Sequence, residues 1–208
     1  MQPKKFSIKE MLSFTFNSIL NDIGLWLLVD LCSIAIAVVA ALGVTVFIAA
    51  TWPPLGFQLF LLIIFSIVLF KIIYGIIALG LAQIGLDFYD HGTSSLGRLF
   101  SAKHLIFNYI IASFLYAVVT AIGFMLLIVP GIIFMLLFSL YTTAMVDRNL
   151  GPIEALSESY RITKGHLLEL FLVMVIALII FALPIIGVLF GGITLKLFEV
   201  YVYRKLAK

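Results

Sequence analysis

The sequence predicts an all-α integral membrane protein, with six transmembrane helices forming three hairpins, each preceded by an interfacial amphipathic helix. Three observations carry that expectation. First, 64% of the 208 residues are hydrophobic and only 11% are charged, whereas soluble domains run near half apolar and about a quarter charged. A water-soluble fold of this size has too little polar surface to cover such a chain. Second, mean hydropathy is +1.26, and apolar runs approaching or exceeding the roughly 20 residues that cross a bilayer recur along the chain. Third, the charges collect in alternate connections and leave the others empty.

The first run is Ile23 to Ala50, interrupted by Asp30 and ended by "TWPP", Thr51 to Pro54. Proline lacks a backbone donor and restricts the residue before it, so this stretch stops a helix. The second run goes from Leu55 to about Leu86, with Lys71 inside. Leu105 to Val129 is the third. "VPG", Val129 to Gly131, is expected to turn it into a fourth, Ile132 to Val146. Leu167 to Leu183 is the fifth, and "PIIG", Pro184 to Gly187, turns it into a sixth ending near Tyr203. Trp26 and Trp52 stand at opposite ends of the first run, as interface aromatics do.

The polar segments are Met1–Asn21, Asp87–His104, Asp147–His166 and the tail from Arg204, while "TWPP", "VPG" and "PIIG" hold no charge. Six spans put every charged connection on one side, and an odd count would put basic loops on both. The positive-inside rule makes the basic side cytoplasmic, with both termini there. This reading places the protein in the inner membrane, against anionic lipid. The first apolar run is too long for a signal-peptide core, so no cleavable leader is expected. A lone cysteine, Cys32, excludes an internal disulfide and disfavours a zinc-thiolate site.

Two polar segments read as well-built helices. In "FSIKEM", Ser7 is a cap with Glu10 three residues on, and Phe6 and Met11 form the hydrophobic staple. Ile8, Met11, Leu12, Phe16 and Ile19 then share one face. In "LGPIEALSESYRI", Gly151 takes the cap, Pro152 the first turn, and Glu154 the third position. Ile153, Leu156, Tyr160 and, less closely, Thr163 mark its apolar side. Aligning the two segments pairs Glu10 with Glu154, Leu12 with Leu156, Ser13 with Ser157 and Phe16 with Tyr160. The stretch "TSSLGRLFSAKHL" precedes the middle hairpin and fits poorly, with Gly97 in place of the acid. These features predict one membrane domain over 1–208, built of three units at 6–90, 91–148 and 149–208. Such helices lie along the cytoplasmic interface. They anchor the hairpins or form a surface for a partner, with Gly151, Pro152, Glu154, Glu158, Arg161 and Lys164 as the candidate surface.

"VPGI", then "VDRNLGPIEALSESYRITKGH", then "YRKL" resemble a widespread group of uncharacterised prokaryotic membrane proteins. That group includes the membrane domain fused to some glycerophosphodiester phosphodiesterases and the YciC-like inner-membrane proteins. Pro130, Gly131, Asp147, Gly151, Pro152, Ala155, Leu156, Ser159, Lys164 and Gly165 occupy the places of its pattern. The resemblance covers the C-terminal half well and the N-terminal half by architecture alone. It implies a multi-pass inner-membrane protein without conferring an activity. Six spans leave no room for a catalytic barrel of about 250 residues.

Charges at membrane depth are costly and mark either structural pairs or functional sites. Asp30, Lys71, Glu169, Lys196 and Glu199 are the candidates. Asp30 and Lys71 are expected at similar depth, as an ion pair. Lys196 and Glu199, three apart, share a helical face and can pair with each other or with Glu169. A cavity open to the cytoplasm and lined by these groups would serve proton-coupled transport or hold lipid head groups. His91, His104 and His166 have no ligand-like spacing. Asp87, Asp90 and His91 in "DFYDHG" suggest a hydrolytic or metal cluster less than they suggest a helix end. No phosphate-binding loop, nucleophile elbow or HExxH occurs.

The leading expectation is therefore a non-enzymatic inner-membrane protein, without cofactor, metal or nucleic-acid partner. Its role would lie in envelope or lipid homeostasis, or as an accessory to a membrane complex with a protein partner or a second copy. The alternatives are a small transporter using the charged cluster and an intramembrane lipid-modifying enzyme.

Overall fold

In the computed structural model, residues 7–50, 56–182 and 184–207 are described. "TWPP" lies outside them. The described residues are almost entirely helical, and no strand occurs among them. The helices are α1 (Ile8–Asn21), α2 (Ile23–Ala50), α3 (Gly56–His91), α4 (Ile106–Leu126), α5 (Ile128–Leu137), α6 (Tyr141–Arg148), α7 (Pro152–Thr163), α8 (Leu167–Phe181) and α9 (Pro184–Ala207). Among the described residues, three stretches are long and apolar enough to cross a bilayer: Ile64–His91, Leu96–Leu126 and Ile128–Arg148. The number rises to five if the bent pairs α1 with the start of α2 (86°) and α7 with α8 (102°) each count as one span.

The caps explain several boundaries. Ser7 Oγ accepts from the Glu10 amide at 3.5 Å and starts α1. Asp22 Oδ1 accepts from the Leu25 amide at 3.1 Å and restarts the chain as α2. Asn149, at φ 53°, closes α6 in the left-handed region, which asparagine tolerates. Gly151 and Pro152 open α7 as expected. Gly165, at φ 101°, makes the turn from α7 into α8.

Two expected elements differ. The segment before α4 is not an amphipathic α-helix: it forms two short 3₁₀ turns, Leu96–Phe100 and Lys103–Leu105. Ser95 makes no side-chain cap there and no acid reinforces the first turn, so the stretch lacks the features that start α1 and α7. The hairpin after α4 turns at Leu127, whose backbone is extended at φ −166° and ψ 159°. Pro130 and Gly131 therefore sit inside the first turn of α5, where a missing amide hydrogen costs nothing. Gly131 is needed there because a Cβ would run into the Phe124 ring.

Helices α3 and α9 form the middle of the bundle. Leu25, Trp26 and Val29 of α2 pack on Ile84 and Phe88 of α3 and on Ile193 and Leu197 of α9. Ala78 and Leu79 of α3 meet Tyr109 and Ala112 of α4, Tyr141 and Met145 of α6, and Ala155 of α7. Met11 of α1 joins the α5, α6, α8 and α9 side chains in a third cluster. Outside, large apolar residues are bare: Met125 is 87% exposed, Phe107 76% and Leu168 75%. Contiguous apolar surface of this kind belongs against lipid.

Candidate functional site

The span formed by α5 and α6 is broken. Phe138 to Leu140 leave the helix, which frees backbone groups that must find other partners. Helix α7 supplies them. Ser159 Oγ donates to the Leu137 carbonyl at 2.9 Å and accepts from the Leu140 amide at 3.1 Å. Thr163 Oγ1 donates to the same carbonyl at 2.8 Å. The face of α7 that packs inward is thus Ala155, Ser159, Ile162 and Thr163, all buried. Of the expected apolar side, Thr163 is buried and Leu156 packs partly inward, whereas Ile153 is 71% exposed and Tyr160 40%. Small and hydroxylated residues win the inward face because they reach the open carbonyl and amide.

The break forms one wall of a cavity of about 550 Å³. Helix α3 contributes Lys71, Tyr74, Ala78 and Leu81. Helix α4 contributes Tyr109, Ser113 and Tyr116. Ser139, Tyr141 and Thr142 come from the break and the start of α6, and Gly192, Leu195, Lys196 and Glu199 from α9. Lys196 Nζ donates to Glu199 Oε2 at 2.5 Å. The Tyr109 and Tyr141 rings stack with centroids 6.0 Å apart, and Tyr116 lies 5.5 Å from Tyr141. At 1.5 Å per residue, Glu199 stands about 8 Å from Arg204 at the polar end of α9, and Lys71 about 24 Å from Asp87 at that of α3. The cavity therefore runs well into the apolar layer.

Of the five candidate charges, Lys71, Lys196 and Glu199 line this one cavity. Glu169 instead pairs with His166 Nδ1 at 2.8 Å, three residues earlier. Asp30 is half-buried, and among the described residues no ion pair joins it to Lys71. The packing explains why. Val29 packs with Ile84 and Phe88, so Asp30 lies near the level of Ile84. Lys71 is 13 positions before Ile84, about 20 Å deeper along α3. Helix α3 runs to His91, one turn past the expected Leu86, and that polar extension displaces the expected register.

The hydroxyl groups of the cavity escaped the sequence reading. Their signal is a polar stripe on an apolar helix: Tyr109, Ser113 and Tyr116 of α4 recur at helical spacing.

At the other end of the bundle, charged groups tie distant segments together. Arg204 bonds to Asp90 and, at 2.8 Å, to Asp147. Tyr203 Oη donates to Asp147 at 2.7 Å. Glu10 accepts from Tyr201 at 2.9 Å and from Lys205 at 3.3 Å. Arg98 grips Asp87 with two donors, at 2.5 and 2.8 Å. On α7, Glu158 receives Arg148 at 2.8 Å and Arg161 at 2.7 Å. Arg161, with Arg148 adding attraction, holds the Glu158 carboxyl below the usual carboxylate range. Glu158 is thus committed inside the protein, while Glu154, Arg161 and Lys164 of the expected partner surface are exposed. Lys164 lies over the Tyr160 ring, 5.5 Å from its centroid. Among the described residues no three His, Cys, Asp or Glu side chains are placed to hold a metal ion.

Residues 93–203 match the family described as Domain of unknown function (DUF7847). Comparison with curated proteins and with solved structures finds no match. The family match covers more than half of the chain and carries the α4, α6 and α9 walls of the cavity, so the chain belongs to that family.

Proposed function

We propose that this member of the DUF7847 family is a non-enzymatic, multi-pass inner-membrane protein that holds a polar ligand at membrane depth, in the service of envelope or lipid homeostasis. In this reading the six spans are α2, α3, α4, the broken α5–α6, α8 and α9. Helices α1 and α7 lie along the cytoplasmic interface, and both termini are cytoplasmic. The ion pairs that gather Glu10, Asp90, Asp147 and Arg204 at one end of the bundle support that sidedness. The similar bends of α1 on α2 (86°) and α7 on α8 (102°) support a repeated plan for the first and last units. The resemblance to the phosphodiesterase-linked and YciC-like membrane proteins fits the same placement.

The observation that carries the functional reading is the cavity itself. Its volume of about 550 Å³ falls in the range of small-molecule sites. It brings together Lys71 and the Lys196–Glu199 pair from two helices, at a depth where ionisable groups are expensive and therefore functional by default. A second reading, a small permease, is favoured by one specific feature. Discontinuous helices at a midplane site are the usual construction of secondary transporters, and Phe138–Leu140 is a break at the cavity wall.

Mass spectrometry of molecules that copurify with the detergent-solubilised protein tests the first reading. The wild type should retain a species that Lys71→Met and the paired Lys196→Met/Glu199→Gln variant lose. Identical copurifying species in all three would end the proposal. Counterflow of that species in proteoliposomes then separates holding from transport. For sidedness, single cysteines at Asn149 and Lys205, with Cys32 replaced by Ala, should react with an impermeant maleimide from the same side only.

A further inference from the structure

The ligand's chemical class follows from a second, smaller cavity of about 220 Å³ that shares Ser139, Leu195 and Glu199 with the first. It lies between α5, α8 and α9, and its remaining lining is apolar, including Leu170, Val173, Met174, Ala177, Phe198 and Val202. A chamber holding charged and hydroxyl groups that abuts an apolar crevice at Ser139, Leu195 and Glu199 suits a molecule with a polar head and a hydrocarbon chain. A purely polar solute would leave the crevice unfilled.

The sign of the head follows from the charges. Lys196 and Glu199 neutralise each other at 2.5 Å. Among the described residues, no ion pair joins Lys71 to any carboxylate. The chamber therefore carries one positive charge without a carboxylate partner, while the Ser113, Ser139 and Tyr116 hydroxyls donate to the Ile110, Leu136 and Met135 carbonyls. A zwitterionic head would bring a cation to a chamber whose carboxylate is already taken.

We infer that this site binds one anionic membrane lipid, with its phosphate at Lys71 and one acyl chain in the crevice between α8 and α9. The inference rests on the ligand-holding reading above and names the ligand class for the same cavity.

Native mass spectrometry of the full chain, released from micelles containing equal amounts of phosphatidylglycerol and phosphatidylcholine with identical chains, tests it. Wild type should retain phosphatidylglycerol at least tenfold over phosphatidylcholine. Lys71→Met should bring that ratio close to one. Ala177→Phe, which fills the crevice, should lose both lipids. A chain-length series on the wild type needs no variant: retention should fall steeply as the acyl chains shorten, and glycerol 3-phosphate alone should bind far more weakly. Glycerol 3-phosphate bound as tightly as the lipid would overturn the role of the crevice and leave the cavity reading standing. Equal retention of the two lipids by wild type would overturn the anionic head. If Lys71→Met and the Lys196→Met/Glu199→Gln variant alter no bound species of any kind, the cavity reading fails as well.

Discussion

The hydroxyl of Ser159 sits between two groups of a broken helix, 2.9 Å from the Leu137 carbonyl and 3.1 Å from the Leu140 amide. One serine on the polar helix α7 thus closes the backbone of the span that walls the cavity. Ser159→Ala removes both bonds and leaves a buried carbonyl to Thr163 and a buried amide without this acceptor. The expected loss is about 1–3 kcal/mol, read as a lower melting temperature in detergent. Thr163→Val shares the Leu137 carbonyl, so the double variant should lose a different amount from the sum of the singles. Strict additivity would show that the two hydroxyls do not act on one group.

Gly80 of α3 passes so close to the 3₁₀ turn that a Cβ would run into the Leu99 carbonyl. The obstacle is backbone, which has no rotamer to move aside. Gly80→Ala should therefore destabilise the fold by more than ~2 kcal/mol, in the manner of an overpacked core. Gly43→Ala, where nothing lies within 4 Å of the added methyl, should leave the melting temperature nearly unchanged. Equal effects at the two sites would contradict the close packing of α3 on residues 96–100.

Lys196 and Glu199 should behave as one unit. Their side chains are 12% and 21% exposed, so Glu199→Ala strands an ammonium group in an apolar setting. A loss at the lower end of the ~3–5 kcal/mol range for breaking buried pairs is expected. Lys196→Met added to Glu199→Ala should recover most of it, because no stranded charge remains. If the double variant is as unstable as the sum of the singles, the two side chains do not compensate each other.

The hold of α6 on α7 should weaken in acid. Glu158 has its carboxyl shifted down by Arg161 and Arg148, so it binds protons less readily folded than unfolded. Its contribution is complete above the unfolded carboxylate value of about 4.3 and disappears as pH falls through the lower folded value. Protection of residues 152–163 against hydrogen exchange, relative to the intrinsic rate at each pH, should fall across that interval in wild type. Glu158→Gln should exchange faster than wild type at neutral pH and show less change on acidification. An unaltered profile in Glu158→Gln would assign the acid response to another group.

The chain's own residues determined that the fold is all-helical, with helices long and apolar enough to cross a membrane. Apolar runs long enough to span, charges confined to alternate connections, and the caps at Ser7 and Gly151 are local features, and local physics acts on them directly. The middle amphipathic helix failed for a local reason as well, since the stretch around Gly97 has neither cap nor acid. Depth and partnership were decided elsewhere. Asp30 misses Lys71 because the packing of Val29 near Ile84 sets the register of two long helices, and no single segment encodes that register. Glu169 instead pairs with His166, three residues earlier at the start of α8, a local contact. All five suspect charges were legible as unusual because lipid penalises them wherever they sit. The convergence of three of them on a tyrosine-lined cavity came only from the way α3, α4, α6 and α9 pack. The break at Phe138–Leu140 persists because Ser159 and Thr163, some twenty positions further on, satisfy its backbone, and only the folded chain brings those groups together.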